Sequence, residues 1–256
     1  MTNKNESKTD VFAMMKKKSK VTKVSSVNLK RTATPESIIA EKVNNQDESA
    51  WQVVGSHLIR RIPKEASITS DKIKVAAFDL DGTLIKTKSG GKFARGADDW
   101  KWWSDKVLDK LLELYEDGYV IVVFTNQGGV VAVPKSTKSY ISFTTKLDQV
   151  VEALRDKGIQ DVFVYGSPKR PSGKKSQTLM NLSTEKLHAT MRKPQPGMWE
   201  SFLEDLKSRE ITQDIDYENS FFIGDAAGRK NDFLDSDLQF ARNANLKFET
   251  PDDLFT

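Results

Sequence analysis

Four short apolar runs govern what this chain can fold into. Residues 75–78 (Val-Ala-Ala-Phe), 119–124 (Tyr-Val-Ile-Val-Val-Phe), 161–165 (Asp-Val-Phe-Val-Tyr) and 220–223 (Ser-Phe-Phe-Ile) are short, nearly continuous hydrophobic stretches. Runs of this kind read as strands buried on both faces. Between them lie segments with helical spacing. Leu108, Leu111, Leu112 and Leu114 fall within 107–115, which Asp117-Gly118 closes. Residues 141–154 are amphipathic and end at Lys157-Gly158, and 198–206 form a further helix. Strands alternating with helices of about 10–15 residues predict an α/β fold, a three-layer Rossmann-like parallel sheet. Upstream, Trp51, Val53, Val54, Leu58 and Ile59 predict an edge strand or hairpin.

In open α/β sheets, ligands bind outside the carboxyl ends of the strands. The residues just past each run are therefore the informative ones. After the first comes Asp79-Leu80-Asp81-Gly82-Thr83, and after the second Thr125-Asn126-Gln127-Gly128. After the third and a long loop comes Arg192-Lys193-Pro194; after the fourth comes Gly224-Asp225, with Asp232 and Asp237 further on. Convergence of these groups describes a Mg²⁺ site facing a phosphate. Mg²⁺ takes hard oxygen ligands, usually one or two carboxylates plus water and substrate phosphate, and Asp79 and Asp225 supply them. A carboxylate facing phosphorus is also a competent nucleophile, which gives an aspartyl-phosphate on Asp79. Asp81 is placed to give a proton to the leaving alkoxide and to take one from water. Thr125, Asn126 and backbone N–H groups bind phosphoryl oxygens, and Lys193 balances charge. Each motif alone has a bland reading: Asp81-Gly82 is a turn dipeptide, and residues 126–129 are a glycine-rich bend. All four in this order, each after an apolar run, favour function over chance.

Composition removes other chemistries. The 256-residue chain has no cysteine, which excludes disulfides, zinc–thiolate sites and Cys-nucleophile phosphatases. A phosphohistidine mechanism would need His57 or His188, the only two histidines. No run reaches the roughly 18–20 apolar residues of a membrane span. Charge is uneven. Residues 1–35 hold nine Lys/Arg against Glu6 and Asp10, whereas the remainder holds 31 basic and 34 acidic residues. Residues 1–48 read as a disordered basic tail and 49–256 as the catalytic domain. In the tail, the patch 10–15 reads as a partner-binding segment and the lysine run 16–20 as a nuclear localisation signal; a merely solvated tail is the alternative.

The four signatures resemble those of the haloacid-dehalogenase phosphatase superfamily. More closely, the chain resembles the phosphatase domain of the polynucleotide kinase 3′-phosphatase family over about residues 74–255. The telling segments are 89–93, 99–103, Gly118-Tyr119, Arg192-Lys193-Pro194-Gln195-Pro196-Gly197-Met198-Trp199, 224–229 and 245–255. The resemblance implies a nuclear, Mg²⁺-dependent DNA-repair enzyme that removes 3′-phosphates from DNA strand-break ends. Carried onto this chain, it makes Asp79 the nucleophile and Asp81 the acid/base. Asp79, Asp81 and Asp225 become the metal set, with Thr125 and Lys193 catalytic and Thr83 and Asn126 phosphate-binding.

Two departures stand out. The bifunctional relatives carry an ATP-binding kinase domain. The nearest approach here to a P-loop, 166–176, has the wrong glycine spacing and Lys-Lys for Lys-Ser/Thr. A phosphatase-only form without kinase activity is expected. The stretch 166–191 reads as a long loop, either a basic lip along the DNA backbone or a surface insertion. Residues 84–124 and 126–192 leave no room for a large cap domain once their helices and strands are placed, so an open site is expected. Lys92, Arg95, Arg192 and Arg229 are the candidate backbone-phosphate contacts. Trp100, Trp102 and Trp103 either stack on bases or pack a helix, with core packing favoured for at least two. The expected partners are DNA and, through the tail, a repair protein; a monomer is expected. The competing readings are a small-molecule phosphatase of the heptose- or histidinol-phosphate type and a non-catalytic scaffold.

Overall fold

The computed structural model describes residues 51–64, 68, 70–172, 182–230, 232 and 234–256. The tail, its apolar patch and its lysine run lie outside the described residues. In chain order the elements are β1 (Gln52–Val54), β2 (Leu58–Arg61), β3 (Lys72–Phe78), β4 (Ile85–Lys86), β5 (Lys101–Trp102), α1 (Val107–Glu116), β6 (Tyr119–Gln127), α2 (Lys138–Lys157), β7 (Val162–Pro168), α3 (Glu185–Met191), α4 (Gly197–Ser208), β8 (Asp214–Ile215), β9 (Phe221–Ile223), α5 (Ser236–Asn243), β10 (Lys247–Glu249) and α6 (Pro251–Phe255).

The main sheet runs β1-β2-β7-β6-β3-β9-β10, with β8 beside the start of β3. Strands β7, β6, β3, β9 and β10 are parallel, and the antiparallel hairpin β1–β2 forms one edge. Side chains alternate faces along each strand, so both faces of the central strands are apolar. Ala76, Phe78, Ile121 and Val123 join one core with Leu111 of α1 and Leu147 and Leu154 of α2. Val75, Ala77, Val122, Phe124, Phe163 and Tyr165 join a second core with Met198 and Phe202 of α4 and Phe240 of α5. These are the three expected layers. Helix α2 shows how the sequence builds one of them. Thr137 accepts the Tyr140 N–H at its start, Gly158 closes it at φ 111°, and Tyr140, Phe143, Leu147, Val150 and Leu154 fill its buried face.

Three sequence expectations are corrected. Strand β6 extends to Gln127 because β7 pairs with it up to Pro168, so Thr125 and Asn126 lie within a strand and not after it. The stretch 166–191 is not one loop: β7 takes its start and α3, capped by Thr184, its end. Residues 173–181 lie outside the description. Third, β4, β5, β8, β10, α3, α5 and α6 have no counterpart among the predicted elements. The space between residues 84 and 106 holds only the small β4–β5 pair and its loop, and no separate cap is present among the described residues. Trp100, Trp102 and Trp103 all pack against the first core, so the core reading holds for each. The two histidines serve packing as well. His57 Nδ1 pairs with Ser183 Oγ at 2.7 Å and His188 Nε2 with Ser56 Oγ at 2.9 Å, tying the β1–β2 turn to α3.

Candidate active site

Strands β3, β6 and β9 end side by side, and the residues at or just past those ends carry much of the chemistry. The Asp79 N–H donates to Ile223 O at 2.8 Å, which extends the β3–β9 ladder by one bond and fixes Asp79 at the sheet edge. Carboxylate oxygens of Asp79, Asp225 and Asp237 lie within 4.8 Å of one another. Two glycines permit this crowding. A Cβ on Gly82, which sits at φ 96°, would lie 2.5 Å from Asp225 Oδ2, and one on Gly224 would lie 2.5 Å from Asp237 Cβ and Oδ2. Any side chain at either position would push a carboxylate away.

Lys193 enters this group from the chain ahead of α4. Its Nζ donates to Asp79 Oδ1 at 2.6 Å and to Asp237 Oδ1 at 2.8 Å. Asn126 holds it there, since its Nδ2 donates to Lys193 O at 3.0 Å and its Oδ1 accepts the Lys193 N–H at 2.9 Å. The sequence reading puts Asn126 on phosphoryl oxygens; in the structure its amide bonds the Lys193 backbone. The electrostatics stem from burial. Burial pushes the Asp79 carboxyl up; Lys193 opposes this while Asp237 and Asp225 add to it, leaving Asp79 at about 8. Burial and Asp237 likewise raise Asp225 to about 6. Burial works against the Lys193 ammonium, but Asp237 and Asp79 outweigh it and hold the group above its usual value. Three carboxylates share one lysine, so the donor set carries excess negative charge at a hard-oxygen site, which is the chemistry that a divalent cation fits.

Of the two acids that the sequence shows beyond Asp225, Asp237, at the start of α5, is the one in this carboxylate group. Its Oδ2 accepts the Ala226 N–H at 3.0 Å, so it shapes the loop after β9 while pairing with Lys193. Asp232 accepts the Ala227 and Arg229 N–H groups and pairs with the Arg229 guanidinium, outside the carboxylate group. No spacing rule separates the two, because the choice depends on where α5 begins.

Asp81, expected in the metal set, has its carboxylate engaged elsewhere. Its side chain is outside the carboxylate group: Oδ1 accepts from Lys146 Nζ and Oδ2 from Gln127 Nε2, both at 2.8 Å. Gln127 Nε2 also donates to Thr125 Oγ1 at 2.9 Å. Sequence reasoning named Gln127 in its motif but gave it no role, and missed Lys146 because a lone lysine on an amphipathic helix reads as surface. Thr83 is fully buried beneath the turn, and its hydroxyl has no partner among the described atoms.

The rim residues divide. The Arg192 guanidinium lies over Gly128, about 3.4 Å from where a Cβ would be. Lys92 and Arg95 lie on the β4–β5 loop. Asp99 organises that loop by accepting the Arg95 N–H together with the Ser89 N–H and hydroxyl, and these bonds hold its carboxyl down at about 2. Arg229, the fourth of these, bonds Asp232, Asp252 and the Asp225 carbonyl.

The model of the family described as polynucleotide kinase 3 phosphatase matches residues 74–255. The chain belongs to this family. A bifunctional polynucleotide phosphatase/kinase of Schizosaccharomyces pombe is 35% identical over 250 residues, which cover 98% of this chain and 51% of that protein. A polynucleotide 3′-phosphatase of Saccharomyces cerevisiae is 35% identical over 226 residues, 77% of this chain and 95% of that protein. The chain thus spans about half the length of the first relative and nearly all of the second. A solved HAD-like phosphatase structure from Mesorhizobium loti aligns with a TM-score of 0.52 at 19% identity, over 77% of this chain and 80% of that one, and supports the fold. Within the matched residues of this polynucleotide kinase 3 phosphatase domain lie Asp79, Asp81, Thr125, Lys193, Asp225 and Asp237.

Proposed function

We propose that the protein is a DNA 3′-phosphatase acting through an aspartyl-phosphate on Asp79. The carrying observation is the group Asp79, Asp225, Asp237 and Lys193, in which Asp79 and Asp225 follow the adjacent parallel strands β3 and β9 and Lys193 and Asp237 reach them from the segments at α4 and α5. Asp79 attacks the phosphorus in line and the 3′-oxygen leaves, taking a proton from Asp81. Water then attacks the aspartyl-phosphate and yields its proton to Asp81, which frees inorganic phosphate. Lys193 offsets charge on the nucleophile and the transferring group. Asp79 and Asp225 are the residues that would hold Mg²⁺, which when bound neutralises charge on the phosphoryl oxygens. Asp237 supports them through Lys193. Thr125, at the end of β6, is assigned to bind a phosphoryl oxygen through its hydroxyl, and the buried Thr83 belongs to the turn after β3.

DNA is favoured over a small ester because the described residues include no separate cap and because Lys92, Arg95 and Arg192 are exposed and basic. Such contacts track a phosphate backbone without reading sequence. Action on DNA implies the nucleus, with residues 16–20 as the import signal and the tail as the contact for a repair protein. Loss of nuclear accumulation on deleting 16–20 is expected; unchanged distribution would remove that role. The main test compares phosphate release from oligonucleotides with a 3′- or a 5′-phosphate, with Mg²⁺ or with a chelator. Release from the 3′-phosphate alone, abolished by the chelator, is expected. Equal rates on both ends, or on sugar phosphates, would overturn the substrate, and chelator resistance would overturn the metal.

A further inference from the structure

A buried lysine is costly unless something uses its charge. Lys146 lies on α2 with only 8% of its side chain exposed, among the buried residues Phe143, Leu147 and Val150 of the same helix. A lysine with a flexible four-carbon stem would ordinarily reach water. Here the stem runs inward and the ammonium emerges at the sheet edge, 2.8 Å from Asp81 Oδ1. From the other side Gln127 Nε2 bonds both Asp81 Oδ2 and Thr125 Oγ1. Lys146, Asp81, Gln127 and Thr125 therefore form one continuous chain of contacts joining α2 to the end of β6. Asp81 is half exposed and stands at the start of the Gly82 turn, so without these two partners its carboxyl would be free to rotate into solvent.

We infer that Lys146 is a positioning residue for Asp81: together with Gln127 it fixes the direction of the Asp81 carboxyl relative to Thr125 and so to the leaving oxygen. This rests on the proposed role of Asp81 as the acid. An ordinary structural ion pair predicts something different, because its loss would affect every substrate alike. In kcat/KM, which reports the steps up to departure of the leaving group, loss of a positioned acid matters only where that group needs a proton; the later attack by water, with Asp81 as base, is common to all substrates and enters kcat alone. A 3′-phosphorylated oligonucleotide expels an alkoxide and needs one, whereas an aryl phosphate such as p-nitrophenyl phosphate expels a stable phenolate and does not. General-acid assistance is worth roughly 10²- to 10⁴-fold.

The experiment measures kcat/KM of the full chain with Mg²⁺ on both substrates. For Lys146→Met, a fall of about 100-fold is expected on the oligonucleotide, with little change on the aryl phosphate. The ratio of the two rates comes from one sample, so partial loss of folded protein cancels. Lys146→Gln provides the same comparison if the methionine variant does not fold. Lys146→Arg, which keeps the charge and the donor, should restore most of the oligonucleotide rate. Asp81→Asn is run alongside. If Asp81→Asn shows the leaving-group dependence and Lys146→Met does not, the inference is overturned while the acid role of Asp81 stands. If Asp81→Asn itself shows no such dependence, the acid role fails and the inference falls with it.

Discussion

Two lysine–aspartate pairs sit at the floor and the mouth of the same site, and they differ in what surrounds the acid. At the floor, Lys193, Asp79 and Asp237 have side-chain exposures of 2%, 10% and 3%. At the mouth, Lys146 is 8% exposed but Asp81 is 50% exposed. The floor group cannot be hydrated, so its charge is balanced only by proton uptake or by added positive charge. The acid at the mouth meets water. On the proposed mechanism, identical residue types serve a nucleophile in one place and a proton carrier in the other, and the difference between the two places lies in burial.

The largest effect should come from the floor. Asp79→Asn is expected to reduce phosphate release by on the order of 10⁴-fold or more, measured under saturating oligonucleotide; near-normal turnover would end the assignment of the nucleophile. Removing the cation tests the contrast directly. Lys193→Met leaves two buried carboxylates without their partner and should destabilise the fold by about 3–5 kcal/mol in chelator, with partial recovery in excess Mg²⁺. Lys146→Met should cost about 1 kcal/mol or less, because the half-exposed Asp81 regains water. Equal losses in urea unfolding would erase the distinction between floor and mouth.

The pH dependence carries a definite sign. Asp79 and Asp225 are raised from the ordinary 3.8 to about 8 and about 6. Each binds its proton more tightly folded than unfolded, so this contribution to stability is complete below about pH 4 and is lost as pH rises through about 6 and then about 8. In chelator, Tm should therefore fall between pH 5 and 8 by this route, and Asp79→Asn should flatten the upper part of that fall. Stabilisation by Mg²⁺ should grow over the same interval, since the cation binds the ionised carboxylates. A chelator-treated protein whose Tm rises toward pH 8 with no effect of Asp79→Asn would contradict the buried, proton-holding floor. The smallest effects belong to the rim. Arg95→Ala or Arg192→Ala should each reduce the salt slope of oligonucleotide binding by about one and leave kcat on an aryl phosphate unchanged. Arg229→Ala should leave that slope intact, because its guanidinium is held by Asp232 and Asp252.

Much of the fold was legible because buried parallel strands leave a strong local trace. Residues 75–78, 119–124 and 220–223 announce themselves by continuous apolarity, and α1 and α2 by period and by Gly118 and Gly158. The short elements left no such trace. Strands β4, β5, β8 and β10 have two or three residues each, too few for a period, and exist because a neighbour supplies their hydrogen bonds. Helix α3 was hidden inside a polar stretch that composition describes as loop.

The site divides along the same line. The sequence by itself determined which chemical groups stand at the strand ends, since Asp79, Thr125 and Asp225 each come after an apolar run and a parallel sheet must bring those ends together. Only the tertiary structure decided how the groups are paired. It chose Asp237 over Asp232, turned Asn126 onto the Lys193 backbone, spent Arg229 on its own loop and brought Lys146 across 65 residues to Asp81. Pairing depends on distances of a few ångströms set by packing between remote segments, and local sequence carries no record of those distances.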